Sequence, residues 1–238
     1  MKEIKKLTSG QWARKWKFLK LAYGGGRRFF GQKGEDLKSR VSGSLAPELH
    51  KIVNELGLMK GPVMKVGQML SLYSEVFFPK ELQTLIAQLE NSSFYLSWEE
   101  IQKNIPDELH EKLIIESTPL AAASLGQVHR AQIKETEETL ALKIQYKGVE
   151  KAIDNDVKTL KMILKFADLL PRDHDISYIF AEVQSMLQQE TDYAQELRAI
   201  QRYTEKLKDD AAYHVPHVYE KFSTSKVLAL EYVEGHSL

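Results

Sequence analysis

The sequence predicts an α+β chain in which a small antiparallel sheet carries helices on one side and a helical extension precedes it. Three observations lead there. Val128 to Ile133 and Leu140 to Gln145 are short apolar runs separated by the charged segment Lys134 to Thr139, as in a hairpin. Two long stretches of helical periodicity follow, at 149–170 and 176–208. Strand character returns at Val215 to Glu220 and at Lys226 to Val233. The 238 residues suffice for one large or two small domains, and 43% hydrophobic with 28% charged residues suits a globular chain.

In chain order, a basic arm comes first. Residues 1–40 hold 12 Lys or Arg and 3 acidic residues, a net of +9; the rest holds 21 against 30, a net of −9. Such an arm on an acidic body suits an anionic surface or an acidic partner, and otherwise is a solvated leader. Trp12, Trp16, Leu19 and Tyr23 share one helical face, with Arg14, Lys15, Lys17 and Lys20 around the remainder. Residues 1–30 therefore fit an anionic membrane surface or lipid, and fit equally a helix docked on its own domain. Gly24-Gly25-Gly26 ends the helix; no strand precedes this cluster, so it is not read as a phosphate loop. Lys and Arg interrupt every apolar stretch, against a secretory signal, and no apolar run nears the roughly 20 residues of a membrane span. The Lys/Arg-rich, acid-poor composition of the arm also suits a transit peptide, its low Ser content does not, and the expected location is the bacterial cytoplasm, peripheral to a membrane if the arm binds one. The chain has no cysteine, which excludes disulfides, thiolate metal sites and cysteine nucleophiles.

Residues 41–117 are expected to be mainly helical. Pro47 opens one helix through Leu49, Ile52, Val53 and Leu56, and Gly61-Pro62 opens another through Val63, Val66, Met69 and Leu70. Pro79 starts a third, and Ser97 with Glu100 has the Ser-x-x-Glu spacing of a capping box. At Thr118 the texture changes to strands and small residues.

The chemistry lies in this second part. Ala121, Ala122, Ala123, Ser124 and Gly126 form a small-residue junction between strands, where backbone N–H groups can approach an anion closely. Lys143 sits in the middle of the apolar strand Leu140-Ala141-Leu142-Lys143-Ile144-Gln145. It is either an exposed position of a half-buried strand or an ammonium held by a carboxylate or phosphate. Loop, strand lysine, acid-bearing helix and two strands follow the order of a kinase small lobe. Val227 to Leu230 running into Glu231-Tyr232-Val233 then fits the last strand and hinge, where an adenine would meet main-chain groups of Glu231 and Val233.

A typical kinase has glycines where this loop has alanines, and the difference is informative. Ala121-Ala122-Ala123-Ser124-Leu125-Gly126-Gln127-Val128-His129 closely resembles the alanine-rich loop of the UbiB/AarF atypical kinases, relatives of the mitochondrial coenzyme Q-associated kinases. Lys65-Val66-Gly67-Gln68 resembles the family's Lys-x-Gly-Gln motif, and Glu190-Thr191-Asp192 its Glu-x-Asp motif. The likeness runs from about residue 45 to the end; residues 1–40 are outside it.

The resemblance implies three regions: the arm at 1–40, a helical extension at 41–118, and a kinase-like N-lobe at 119–238. It implies ATP or ADP with Mg2+, with Lys143 on the α- and β-phosphates and the loop residues nearby. A helix glutamate should hold Lys143; Glu196 is the first choice, Glu190 the alternative and Glu182 a weaker candidate. Lys65, Gly67 and Gln68 should face the pocket and meet Glu190 and Asp192. No His-x-Asp loop and no Asp-Phe-Gly element follows the hinge, so the chain is expected to lack a catalytic site, its metal ligands coming from a C-lobe absent here. It would then be a fragment, or a half that needs a second chain. The implied function is an atypical kinase or ATPase linked to ubiquinone biosynthesis, with the proteins of that pathway as partners; the alternative is an inactive nucleotide-binding scaffold. The seven histidines suggest no metal site, and no nucleic-acid recognition motif is present.

Overall fold

The computed structural model describes residues 2–4, 65, 69, 94–123, 125–166 and 177–235. The expected helices around Trp12, Pro47 and Pro79, with Gly67, Gln68 and Ser124, lie outside the described residues. The chain divides into two compact units: Met1–Lys6, Ser93–Lys147 and Gln189–Leu238 form the first, Leu7–Ser92 and Gly148–Gln188 the second.

In the first unit, β1 (Lys2–Ile4) pairs in parallel with β2 (Phe94–Leu96). Helix α1 (Trp98–Ile101) begins after Ser97, whose carbonyl accepts the Glu100 and Ile101 N–H groups at 3.1 Å. The Ser-x-x-Glu spacing marks this start, yet the Ser97 side chain makes no capping bond, and Glu100 instead pairs with Lys103 at 2.6 Å. Pro106, with its fixed φ, precedes α2 (Asp107–Lys112), which carries acids in its first turn and His110 and Lys112 in its last, matching the helix dipole.

A sheet of four antiparallel strands follows: β3 (Leu113–Ala122), β4 (Gly126–Ile133), β5 (Thr139–Gln145) and, after the helices, β6 (Val227–Glu231), in that spatial order. Strand β3 occupies 113–117, where the sequence suggests helix. The run Leu113-Ile114-Ile115 is intrinsically extended, and its pairing with Ile133, Gln132 and Ala131 of β4 fixes it. The β4–β5 turn closes through the Glu137 N–H donating to the Ile133 carbonyl at 2.8 Å, with Glu137 left-handed at φ 61. The strand expected at Val215 to Glu220 shrinks to one bridge, Val218 with Leu230, and a 3-10 turn at Glu220–Phe222. Pro216 has no N–H for a ladder there.

Helices α3 (Val149–Phe166), α4 (Ser177–Glu190) and α5 (Tyr193–Leu207) separate β5 from β6. The expected single helix over 176–208 is broken at Thr191 and Asp192. The Asp192 side chain accepts the Gln195 N–H at 3.0 Å and so starts a new helix.

Alternation gives the sheet two faces. His129, Leu140, Leu142, Ile144, Val227 and Ala229 are buried on one face, and Trp98 packs on the His129 ring at 5.4 Å. Lys143 projects from the other face, opposite Val128 and Leu228. Helix α5 lies there: Tyr193, Leu197 and Ile200, at i, i+4 and i+7, pack with Val218, Leu228 and Leu230. The sheet is therefore flanked on both faces, not on one, with the segment from Phe94 to Ile101 covering the second.

In the second unit, Val149, Ile153, Val157 and Leu160 form the buried stripe of α3, and Ile179, Phe180, Val183 and Leu187 that of α4. The two helices run antiparallel, since Asp154 accepts from Gln184 and Gln188 at 2.8 and 3.1 Å while Lys161 donates to Ser177 at 2.8 Å. Lys65 and Met69 are helical, the first half-buried and the second buried. Among the described residues, no helix is long and apolar enough to cross a membrane.

Candidate functional site

Strand β5 brings Lys143 to the centre of the sheet. Its Nζ donates to both carboxylate oxygens of Glu196, at 2.8 and 2.7 Å. The two side chains are 32% and 33% exposed. An ion pair that open contributes about 0.2–1 kcal/mol to folding, too little by itself to account for a lysine in an apolar strand. The same exposure leaves the ammonium within reach of a solvent-borne anion.

Glu196 reaches Lys143 because the start of α5 is pinned to β5. Gln145, two residues past Lys143 and on the same face, donates through Nε2 to the Thr191 carbonyl at 2.8 Å. Its Oε1 accepts from Lys226 at 2.8 Å, and its backbone carbonyl from Asn104 at 2.9 Å. Gln145 is buried and fully engaged, so the Thr191–Asp192 turn is held at a fixed height against the sheet. Tyr193 follows the Asp192 cap, and its ring centroid lies 4.9 Å from the Lys143 ammonium. Burial pushes the Tyr193 phenol far above its ordinary range, with the Glu196 carboxylate adding to the effect.

The small-residue junction is the β3–β4 turn. Ala121 and Ala122 pair with Val128 and Gln127, and the Ala123 N–H donates to the Gly126 carbonyl at 2.9 Å. A methyl at Gly126 would stand 2.5 Å from the Ile144 carbonyl oxygen and 3.2 Å from the Tyr193 hydroxyl, so glycine is required by close approach. Buried Leu125 accepts the Tyr146 N–H at 3.0 Å, closing the turn onto the end of β5.

The remaining loop residues serve the opposite face. His129 Nδ1 donates to the Glu116 carbonyl at 2.7 Å, since a carbonyl only accepts; its Nε2 then accepts from Gln127 Nε2 at 2.8 Å. Gln127 Oε1 accepts the Leu96 N–H at 2.9 Å. Burial holds the His129 pKa below its ordinary value, and the ring is neutral. Gln127 and His129 thus anchor the segment before the sheet.

Glu231 ends β6. Its N–H donates to the His217 carbonyl at 2.8 Å, and its carboxylate accepts from the His217 N–H and from His214, both at 3.0 Å. The His217 N–H bond is the main cause that lowers the Glu231 pKa. Beyond it, Arg130 lies over the Tyr232 ring at 4.5 Å and 3.9 Å from Glu234, and Val233 is exposed.

Lys143 on β5, Glu196 on α5, and Ala121, Ala122, Ala123 and Gly126 at the β3–β4 junction therefore belong to one unit. Asp192 acts as the α5 cap, and Glu190 ends α4, half-buried. Lys65 belongs to the second unit, as does Glu182. Sequence reasoning missed Gln145 and Tyr193. The available signal was positional: Gln145 is i+2 from Lys143 on a strand, and Tyr193 is i−3 from Glu196 on a helix.

The ABC1 atypical kinase-like domain matches residues 88–238. Curated relatives include "Atypical kinase COQ8, mitochondrial" of Saccharomyces cerevisiae, 34% identical over 192 residues. "Atypical kinase COQ8B, mitochondrial" of Danio rerio is 32% identical over 216 residues. The alignments cover 79% and 88% of this chain but only 38% and 34% of those relatives. A solved complex of Rv3197 with erythromycin from Mycobacterium tuberculosis aligns with a TM-score of 0.47 and 28% identity, over 80% of this chain and 50% of that one. With its four-stranded antiparallel sheet and helix-borne glutamate on the strand lysine, the chain belongs to the ABC1 atypical kinase-like family, the UbiB/AarF kinases, and carries their kinase-like N-lobe.

Proposed function

We propose that the chain binds ATP or ADP with Mg2+ at Lys143, as the nucleotide-binding part of an atypical kinase or ATPase of ubiquinone and related quinone biosynthesis. The observation that carries this reading is the two-oxygen bond between Lys143 and Glu196, one-third exposed beside a turn that tolerates no side chain at Gly126. The donor set fits a triphosphate: a fixed ammonium beside small residues whose backbone approaches closely. Lys143 meets the α- and β-phosphates, Glu196 orients it, and Ala121, Ala122, Ala123, Ser124 and Gly126 lie over the phosphates. Main-chain groups of Glu231 and Val233 receive the adenine. Lys65, Gly67 and Gln68, and separately Glu190 and Asp192, are the family-motif residues proposed to tune nucleotide binding. When bound, the nucleotide supplies a transferable phosphoryl group, and metal ligands come from a large lobe. Proteins of quinone biosynthesis are the partners, residues 1–30 meet an anionic membrane surface, and the location is the bacterial cytoplasm at that surface.

Ala121 and Ala122 favour a second reading, a nucleotide-binding scaffold without turnover. Both are ladder-paired strand residues, whose methyls narrow the backbone's freedom to wrap a phosphate. Titration of the chain with ATP and ADP, with and without Mg2+, tests the shared claim. Lys143→Met should weaken binding by about 10- to 100-fold, the worth of a charge-assisted bond, and Glu196→Gln by less. Unchanged affinity in Lys143→Met overturns both readings; turnover by a longer form of the protein separates them.

A further inference from the structure

We propose that Tyr193 is a positioning residue that holds the Lys143 ammonium together with Glu196 and ties it to the Gly126 turn. This role rests on the nucleotide reading of Lys143 given above. A lysine stem has four flexible carbons, and a single carboxylate does not fix where its ammonium points. Here the ammonium has two restraints: the Glu196 carboxylate at 2.7 and 2.8 Å and the Tyr193 ring face at 4.9 Å, within the range of a cation–π contact. The ring cannot swing away. Tyr193 is 2% exposed, packs with Val218 and Leu228, and directly follows the Asp192 cap. Its hydroxyl would stand 3.2 Å from a methyl at Gly126, so the same side chain is the wall against which the loop closes. Tyr193 and Glu196 are i and i+3 on α5 and move together. One buried ring therefore joins the loop, the lysine and the glutamate helix, and displacement of any of them is felt by the others.

The test is a double-mutant cycle on the full chain, reading the dissociation constant of Mg-ATP. Tyr193→Phe keeps the ring and should bind within about two-fold of the parent, while Tyr193→Leu should weaken binding about five- to thirty-fold, as expected for loss of a cation–π contact. In a Lys143→Met background the Tyr193→Leu penalty should vanish, because the ring acts through the ammonium. An equal penalty in both backgrounds overturns the proposal and leaves Tyr193 a packing residue. Parent-like affinity in Tyr193→Leu together with loss in Lys143→Met overturns the proposal and spares the nucleotide site. Parent-like affinity in Lys143→Met removes the nucleotide reading and this role with it. If Tyr193→Leu fails to fold, Tyr193→Phe carrying successive ring fluorines preserves shape while weakening the π face. A stepwise loss of affinity supports the proposal and a flat series overturns it.

Discussion

Gly126 and His129, three residues apart on β4, show how differently neighbouring positions of one motif are constrained. At Gly126 the restraint is space. Ile144 offers a backbone oxygen 2.5 Å from the would-be methyl, which no side-chain rotation can relieve. Gly126→Ala should therefore cost about 1–3 kcal/mol by overpacking, read as a lowered urea midpoint; a midpoint equal to the parent's contradicts the close approach. At His129 the restraint is charge. Burial lowers its folded pKa below the ordinary 6.5, so between the two values the unfolded chain binds more protons than the folded one. Its contribution to stability is then complete above pH 6.5 and is lost as pH falls below it. His129→Asn should flatten the stability profile between pH 7 and pH 5; parallel profiles contradict a buried neutral ring. Lys143 stood out in the sequence because an ammonium in an apolar strand is either an exposed position or one held by a partner, and the family resemblance favoured the second. Gln127 and His129 were not: in sequence they belong to the loop motif, and only strand parity assigns them to the face away from Lys143.

At the scale of elements, the start of α5 decides the site. It is set by the Asp192 cap and by Gln145 holding the Thr191 carbonyl, a bond buried with Thr191 itself. Gln145→Leu leaves that carbonyl without this donor and removes one acceptor from Lys226. The expected loss is about 1–3 kcal/mol in chemical denaturation, and an unchanged midpoint would show the turn to be held by other means. The break at Thr191 and Asp192 has a trace in the sequence. The buried residues of α4 end at Leu187 and those of α5 begin at Tyr193, six residues on, which puts their stripes about 120° out of phase on a continuous helix. Other elements left no such trace. Strand β3 is mostly exposed between its ends, so it lacks the alternation that betrays a strand, and its partner β4 imposes its shape. At Val215 to Glu220 the apolar pattern was present, but Pro216 removed the donor a ladder needs.

The molecule as a whole is two compact units, and the pair of Lys143 and Glu196 belongs to the first. The fold class followed from the order of hairpin, helices and returning strand, and the family from short motifs placed in that order. An acyl-phosphate derivative of ATP tests the central claim directly: a lysine amine beside the phosphates attacks the acyl carbon, the mixed anhydride breaks, and the acyl group stays on the lysine as ATP departs. Peptide mass spectrometry should find Lys143 labelled, with free Mg-ATP suppressing the label and Glu196→Gln reducing it. Labelling spread over surface lysines and insensitive to free ATP, with Lys143 unmodified, would contradict a nucleotide site on β5.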